Sequence, residues 1–312
     1  MGTAGEFRVV RAADVAARGA DTPPWMIETL WGANAVGVIG GAPKSCKSWL
    51  ALEMAVAVAS GRPCLGRFAV SGPGTALVYM AEDAPVEVRA RLENLALARG
   101  TDFAALSVGL IDEPSLRIDR EEDVRRLRAT LARHRPRLLV LDPYVRLQRV
   151  DENNATEVSA VLATLRELSR AFELSIVLVH HTRKNGAEQA GQALRGSSDF
   201  HAWGDSNLYL RRRGSGVLLS VEHRAAPVPP PLSLALIDGD GPVRLEARDV
   251  PPERSLADRI VEWLVAHGPQ RHRQLRRALG VRDEHLSGAL RELEACGRIA
   301  RTAEGWVARA AA

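Results

Sequence analysis

The chain has 312 residues, 46% hydrophobic and 26% charged, and its 42 basic against 38 acidic side chains leave a net charge of +4. That balance excludes a disordered polymer and suits one sizeable core with a small appended module; the mild positive excess is compatible with a nucleic-acid partner without establishing one. The longest apolar run, residues 50–59, is broken by Glu53 and is about half a bilayer span, and no apolar leader opens the chain, so a cytoplasmic protein without a membrane segment is expected.

In chain order, a buried strand is expected at residues 36–40, then a glycine-bearing turn and a helix over 47–60. Further strands are read at 75–80, 106–111, 137–142 and 175–181, alternating with helices at 85–99, 120–134 and 155–172. Pro85 near a first turn and Gly100 beyond a last one bracket the second helix. Short apolar strands alternating with helices point to an α/β domain with a mostly parallel sheet. The stretch "TRKNGAEQAGQALRGSS" that follows is long and polar and reads as a functional loop. Segments 206–213, 216–224, 231–238 and 241–249, parted by Gly and Pro turns, read as an antiparallel extension of the sheet. Past a linker at 249–255 come three short helices and a β-wing over 298–308. The expected domains are an N-terminal segment (1–24), a core (25–249) and a C-terminal module (250–312). Cys46, Cys64 and Cys296 lie far apart, so neither a disulfide framework nor a zinc site is expected.

Arginine fills 39 of the 42 basic positions, yet two of the three lysines, Lys44 and Lys47, fall within four residues in "GGAPKSCKSWLA". A position that keeps lysine against such a bias calls for a compact ammonium on a flexible stem. Gly41, Ala42, Pro43, Lys44, Ser45, Cys46, Lys47 and Ser48 follow a strand and open a helix, the context of the phosphate-binding pattern G-x-x-x-x-G-K-[ST]. Amides of such a turn and the helix N-terminus favour phosphate; Lys47 would reach the β- and γ-phosphates and Ser48 would ligate Mg²⁺, so ATP and Mg²⁺ are the expected cofactors. Lys44 is read as a γ-phosphate contact, a contact to a neighbouring subunit, or a solvated side chain. Cys46 stands where the pattern has glycine, and a side chain there resists a positive φ.

"RLLVLD" ends in Asp142, a strand-tip carboxylate suited to the Mg²⁺ shell. "LVYMAED" ends in Glu82, read as the base that activates water, and Asp83, read as the cap of the next helix. "SIVLVHH" ends in His180 and His181, which face opposite sides of the strand; one is a γ-phosphate sensor, His181 being favoured.

In this order the motifs, followed by "LRGSS", resemble the RepA-like hexameric helicases, ATPases with the RecA-type P-loop core shared with DnaB-type replicative helicases; the likeness covers residues 25–248. The resemblance implies Lys47, Glu82, Asp142 and His181 as catalytic groups, Ser48 and Asp142 at the metal, and a ring, hexameric in the family, with ATP between subunits. It also implies an arginine finger after "RGSS", where this chain has "DFHAWGDSN" with Asp205; Arg195 or one of Arg211 to Arg213 is the substitute, and His180 the second sensor candidate. The loops after Asp142 and His181 would face a channel holding single-stranded DNA and carry Arg146, Arg149, Arg183 and Lys184. The C-terminal module resembles a winged helix, with Leu286, Leu290 and Leu293 burying its third helix and Arg282, His285 and Arg291 outside; Glu284, Glu292 and Glu294 on that helix would repel phosphates, leaving duplex binding and protein docking open. The function expected is a DNA helicase or translocase; an ATP-dependent switch or loader, and a transcription regulator, are the alternatives.

Overall fold

The computed structural model describes residues 9–15, 25–149, 155–181, 198–213, 216–249 and 256–309. The chain divides into two compact units, Met1–Asp249 and Val250–Ala312.

The first unit is built on nine strands. In chain order they are β3 (Val36–Gly41), β4 (Ala76–Met80), β5 (Val108–Leu110), β6 (Leu138–Asp142), β7 (Ser175–His181), β8 (Ser206–Arg213), β9 (Gly216–His223), β10 (Leu232–Ile237) and β11 (Arg244–Asp249), after a small hairpin of β1 (Trp25–Ile27) and β2 (Trp31–Gly32). Across the sheet the order is β11-β10-β9-β8-β3-β7-β6-β4-β5. The six strands from β8 to β5 run parallel, and β9, β10 and β11 are antiparallel. Helices α1 (Lys47–Ser60) and α2 (Pro85–Ala98) cover one face; α3 (Glu121–His134), α4 (Ala155–Phe172) and α5 (Ser198–Trp203) cover the other.

Strand alternation explains how β3 serves both layers. Val36 and Val38 enter the core with α3 and α4, whereas Ile39 enters the core with α1. A Cβ on Gly37 would lie 1.7 Å from the Ser206 carbonyl oxygen, so only glycine lets β8 approach. Helix α1 is buried on almost every side, from Leu50 to Val58, which fits its near-continuous apolar run. Its one interior charge, Glu53, is ion-paired with Arg99 and accepts the Leu65 N–H at 2.6 Å. Burial lowers the Arg99 guanidinium to about 10.

Two elements lie outside the sequence reading. The β1–β2 hairpin buries Met26, Ile27 and Trp31, and α5 begins where the stretch read as a loop ends, over residues given no element, seating Phe200 and Trp203 against α4. Trp203 Nε1 donates to the Leu162 carbonyl at 2.8 Å.

The second unit has its own core. Helices α6 (Leu256–His267), α7 (His272–Leu279) and α8 (Asp283–Ala295) and the hairpin β12 (Ile299–Arg301)–β13 (Trp306–Ala308) enclose Ile260, Leu264, Leu275, Leu279, Leu286, Leu290, Leu293 and Ile299. Trp306 packs on this core from the hairpin.

Removing one partner of a buried ion pair strands the other charge. Glu53→Ala is therefore expected to lower stability by about 3–5 kcal/mol in urea denaturation, and Glu53→Ala with Arg99→Met to recover most of the loss.

Candidate functional site

The turn that follows β3 begins at Gly41, where a Cβ would sit 2.5 Å from the Leu210 carbonyl oxygen and 2.7 Å from Ser45 Oγ. Lys44 and Cys46 both adopt left-handed conformations, at φ 61° and 64°. Cys46 is the N-cap of α1 and takes the backbone conformation that glycine supplies in the pattern. Its thiol is raised above the ordinary value by burial, against the pull of Arg212 and Lys47, so it brings no negative charge to the turn.

Lys47 is 4% exposed. Its ammonium donates to the Ala42 carbonyl at 2.8 Å, as does Ser45 Oγ, also at 2.8 Å. Burial lowers Lys47 to about 8 in spite of the nearby Asp142 carboxylate. Asp142 is likewise 4% exposed, and burial raises it to about 6, opposed by a Ser48 hydrogen bond and the Lys47 charge. Its Oδ2 is buried with no hydrogen-bond partner among the described residues. A buried carboxylate oxygen left unpaired beside a serine hydroxyl matches what a hard divalent cation needs, so Ser48 and Asp142 fit Mg²⁺.

Glu82 lies just past β4, and β4 pairs with β6 so that Met80 is level with Asp142. Its carboxylate accepts from Arg146 Nε at 2.9 Å, and both side chains are about half exposed. Arg146, read from sequence as a channel-facing cation, thus reaches back to the carboxylate read as the base. Asp83 does not cap α2: the N-cap is Ala84 with no side-chain bond, and Asp83 instead accepts from Arg91 at 2.8 and 3.0 Å. A bidentate guanidinium outcompetes a capping amide for the carboxylate.

At the end of β7 the two histidines part. His180 is buried, stacked on Phe200 with centroids 4.4 Å apart and set edge-on to Tyr144 at 5.8 Å. Burial lowers it to about 4. His181 is exposed; burial of part of its ring and the Lys47 charge lower it, while Glu82 pulls the other way.

Other predicted residues are dispersed. β8 pairs with β3 so that Leu210 is level with Gly41, which carries exposed Arg211 past the start of the turn. Arg149 is exposed, its N–H bonded to Asp119 Oδ2 at 3.0 Å. Asp205 is ion-paired with Arg166 and accepts the Val36 N–H at 3.2 Å, so it ties α4 to β3. Arg183, Lys184 and Arg195 lie outside the described residues. Arg282 and Arg291, exposed, belong to the separate second unit.

Sequence reasoning missed the support behind the site. Tyr144 donates to Gln148 at 2.8 Å and meets Phe200 at 4.6 Å, and Arg91 lies over the Trp49 ring at 5.8 Å. The i, i+4 spacing of Tyr144 and Gln148 was visible; their partner on α5 was not.

A family model described as "AAA domain" matches residues 3–187. No curated protein matches the chain significantly. Among solved structures, that of a DnaB-like replicative helicase, described together with its interactions with primase, superposes with a TM-score of 0.53 at 15% identity. The match covers 68% of this chain and 57% of that one, so this chain spans less than two thirds of the helicase's length. The first unit therefore has a RecA-like P-loop fold.

Two outcomes are expected from this geometry. Cys46→Gly should leave thermal stability within about 1 kcal/mol of wild type, whereas Cys46→Val, β-branched at positive φ, should lose about 1–3 kcal/mol; equal melting curves would refute the left-handed turn. His180, held neutral near 4 against about 6.5 in the unfolded chain, contributes stability that is present above pH 6.5 and lost as pH falls towards 4. Denaturant midpoints for His180→Phe should therefore fall less steeply between pH 7 and 4.5 than those of wild type.

Proposed function

The chain belongs to the AAA domain family, and from that premise we propose that it binds ATP with Mg²⁺ and hydrolyses it as a RepA-like DNA helicase or translocase. The observation that carries this reading is the turn itself: a dehydrated Lys47 ammonium bonded to a peptide carbonyl and attracted by the Asp142 carboxylate, whose buried Oδ2 has no hydrogen-bond partner among the described residues.

In this reading the amides of residues 42–48 and Lys47 take the β- and γ-phosphates and stabilise charge as the γ-phosphoryl group leaves. Ser48 and Asp142 hold Mg²⁺, which when bound neutralises phosphate charge. Glu82 orients the attacking water and must first part from Arg146; an exposed pair of this kind is worth about 0–1 kcal/mol, so separation costs little. His181 senses the γ-phosphate. Arg146 and Arg149, with Arg183 and Lys184, track single-stranded DNA, and the finger comes from Arg195 or Arg211 in a homo-oligomer, a hexamer in this reading. Residues 25–249 act as the ATPase domain behind the 1–24 segment, and residues 250–312 as a winged helix that holds DNA; three helices closed by a hairpin support that part of the reading.

A second reading, an ATP-dependent switch or loader without strand displacement, is favoured by one observation. Asp205, near the place of the family's finger, is committed to Arg166 and β3.

Calorimetry with Mg²⁺ and ATP tests the premise: binding is expected in wild type and absent in Lys47→Ala, and no heat in either would end the proposal. Glu82→Gln should still bind ATP while turnover drops at least about 100-fold. Single-stranded DNA is expected to stimulate wild-type turnover, and strand displacement separates the motor from the switch.

A further inference from the structure

Arginine richness alone does not mark a binding face here, because arginines of the first unit are widely matched by acids: Arg91 with Asp83, Arg146 with Glu82, Arg166 with Asp205. Helix α7 breaks that pattern. The twenty residues from Trp263 to Arg282 hold five arginines and two histidines but no acid, where 38 acids in 312 residues would place two or three.

Only Leu275 and Leu279 of α7 enter the core of the second unit. At 3.6 residues per turn, Arg273 and Arg277 sit about 160° from Leu275, on the outer pole of the helix, with Arg276 beside them. All three are exposed. Arg276 shares Asp283 at 3.6 Å with His272 at 3.7 Å, while Arg273 and Arg277 have no ion-pair partner among the described residues. Both features work against the isolated helix. Like charges at i and i+4 repel, and Arg273 sits in the first turn, where the helix dipole disfavours a cation. Helix α8 has the opposite character: Asp283, Glu284, Glu292 and Glu294 outnumber Arg291, and all are exposed.

The geometry points to α7, not α8, as the surface of the second unit that meets the phosphate backbone of nucleic acid, through Arg273, Arg276 and Arg277. It refines, and rests on, the proposed action on DNA. A row of three exposed guanidiniums, two of them without an ion-pair partner among the described residues and with no aromatic side chain between them, fits phosphate contacts that do not read bases. The acidic helix α8 would be repelled by the same backbone, so the unit presents its second helix, whereas the sequence reading named Arg282 and Arg291 as possible DNA contacts and left duplex binding and protein docking open.

The test is fluorescence anisotropy of the full chain with labelled duplex and single-stranded DNA of mixed sequence, over a range of salt. Arg273→Gln with Arg277→Gln touches no core residue, so its melting temperature is expected to equal or exceed that of wild type. Its affinity should be about tenfold or more weaker at low salt, and the slope of log K against log salt smaller by about 2. Arg291→Gln should change neither quantity. ATP turnover at saturating DNA should persist in the α7 variant, which separates this inference from the proposed ATPase: absent turnover in wild type would count against the ATPase alone. The α7 assignment is overturned if the double variant binds as wild type, if Arg291→Gln loses as much, or if the wild-type chain binds neither DNA at low salt. It is also overturned if polyglutamate displaces DNA at equal charge concentration, which would mark an acidic protein as the better fit.

Discussion

Two opposite charges held out of water at the carboxyl edge of one sheet, the Lys47 ammonium and the Asp142 carboxylate, set the terms for the first unit. Each is 4% exposed, each is shifted by burial towards its neutral form, and each attracts the other without a direct ion pair among the described residues. Dehydrated charges of this kind cost several kcal/mol unless something compensates them. The arrangement survives because its frame cannot relax. Lys47 is fixed at the start of a helix buried on nearly every side, and Asp142 ends a strand paired on both edges.

That frame depends on parts far from the site in sequence. The antiparallel strands β10 and β11 contribute Leu232, Leu234 and Leu245 to the core that encloses α1, so the extension of the sheet covers the helix that carries Lys47. On the opposite face, Phe200 of α5 packs against both His180 and Tyr144, which also meet each other, and so joins the end of β7 to the turn after β6. The hydrogen bond from Tyr144 to Gln148 then fixes the turn that leads to Arg146. One layer thus steadies the cation and the other steadies the carboxylate.

Much of this was legible in the sequence, for physical reasons. Parallel strands buried on both faces write themselves as short apolar runs, so β3, β4, β6 and β7 were found within a residue or two of their ends. Amphipathic α4 was bounded by its apolar period. What escaped was short or decided by distant partners. The hairpin strands β1 and β2 have three and two residues, too few for any period to register. Helix α5 is a six-residue element whose Phe200 and Trp203 are held by α4, β7 and the turn after β6. Asp83 has the right chemistry for a cap and the right place before Pro85, yet Arg91, two turns along α2, claimed it. Local propensity ranked the options, and a contact eight residues away chose among them.

The turn after β3 carries a lesson about motifs. Its left-handed residues, Lys44 and Cys46, flank Ser45, and left-handed residues in a turn are what builds an anion-binding nest of backbone N–H groups. Such a nest is made of dihedral angles, and glycine is the least costly residue at them, not the sole one. A thiol at position 46 therefore spoils the written pattern while leaving its conformation intact. A search demanding the letter G at that place would discard chains whose main chain still folds the same cup, so the family of proteins able to form it is wider than its consensus string.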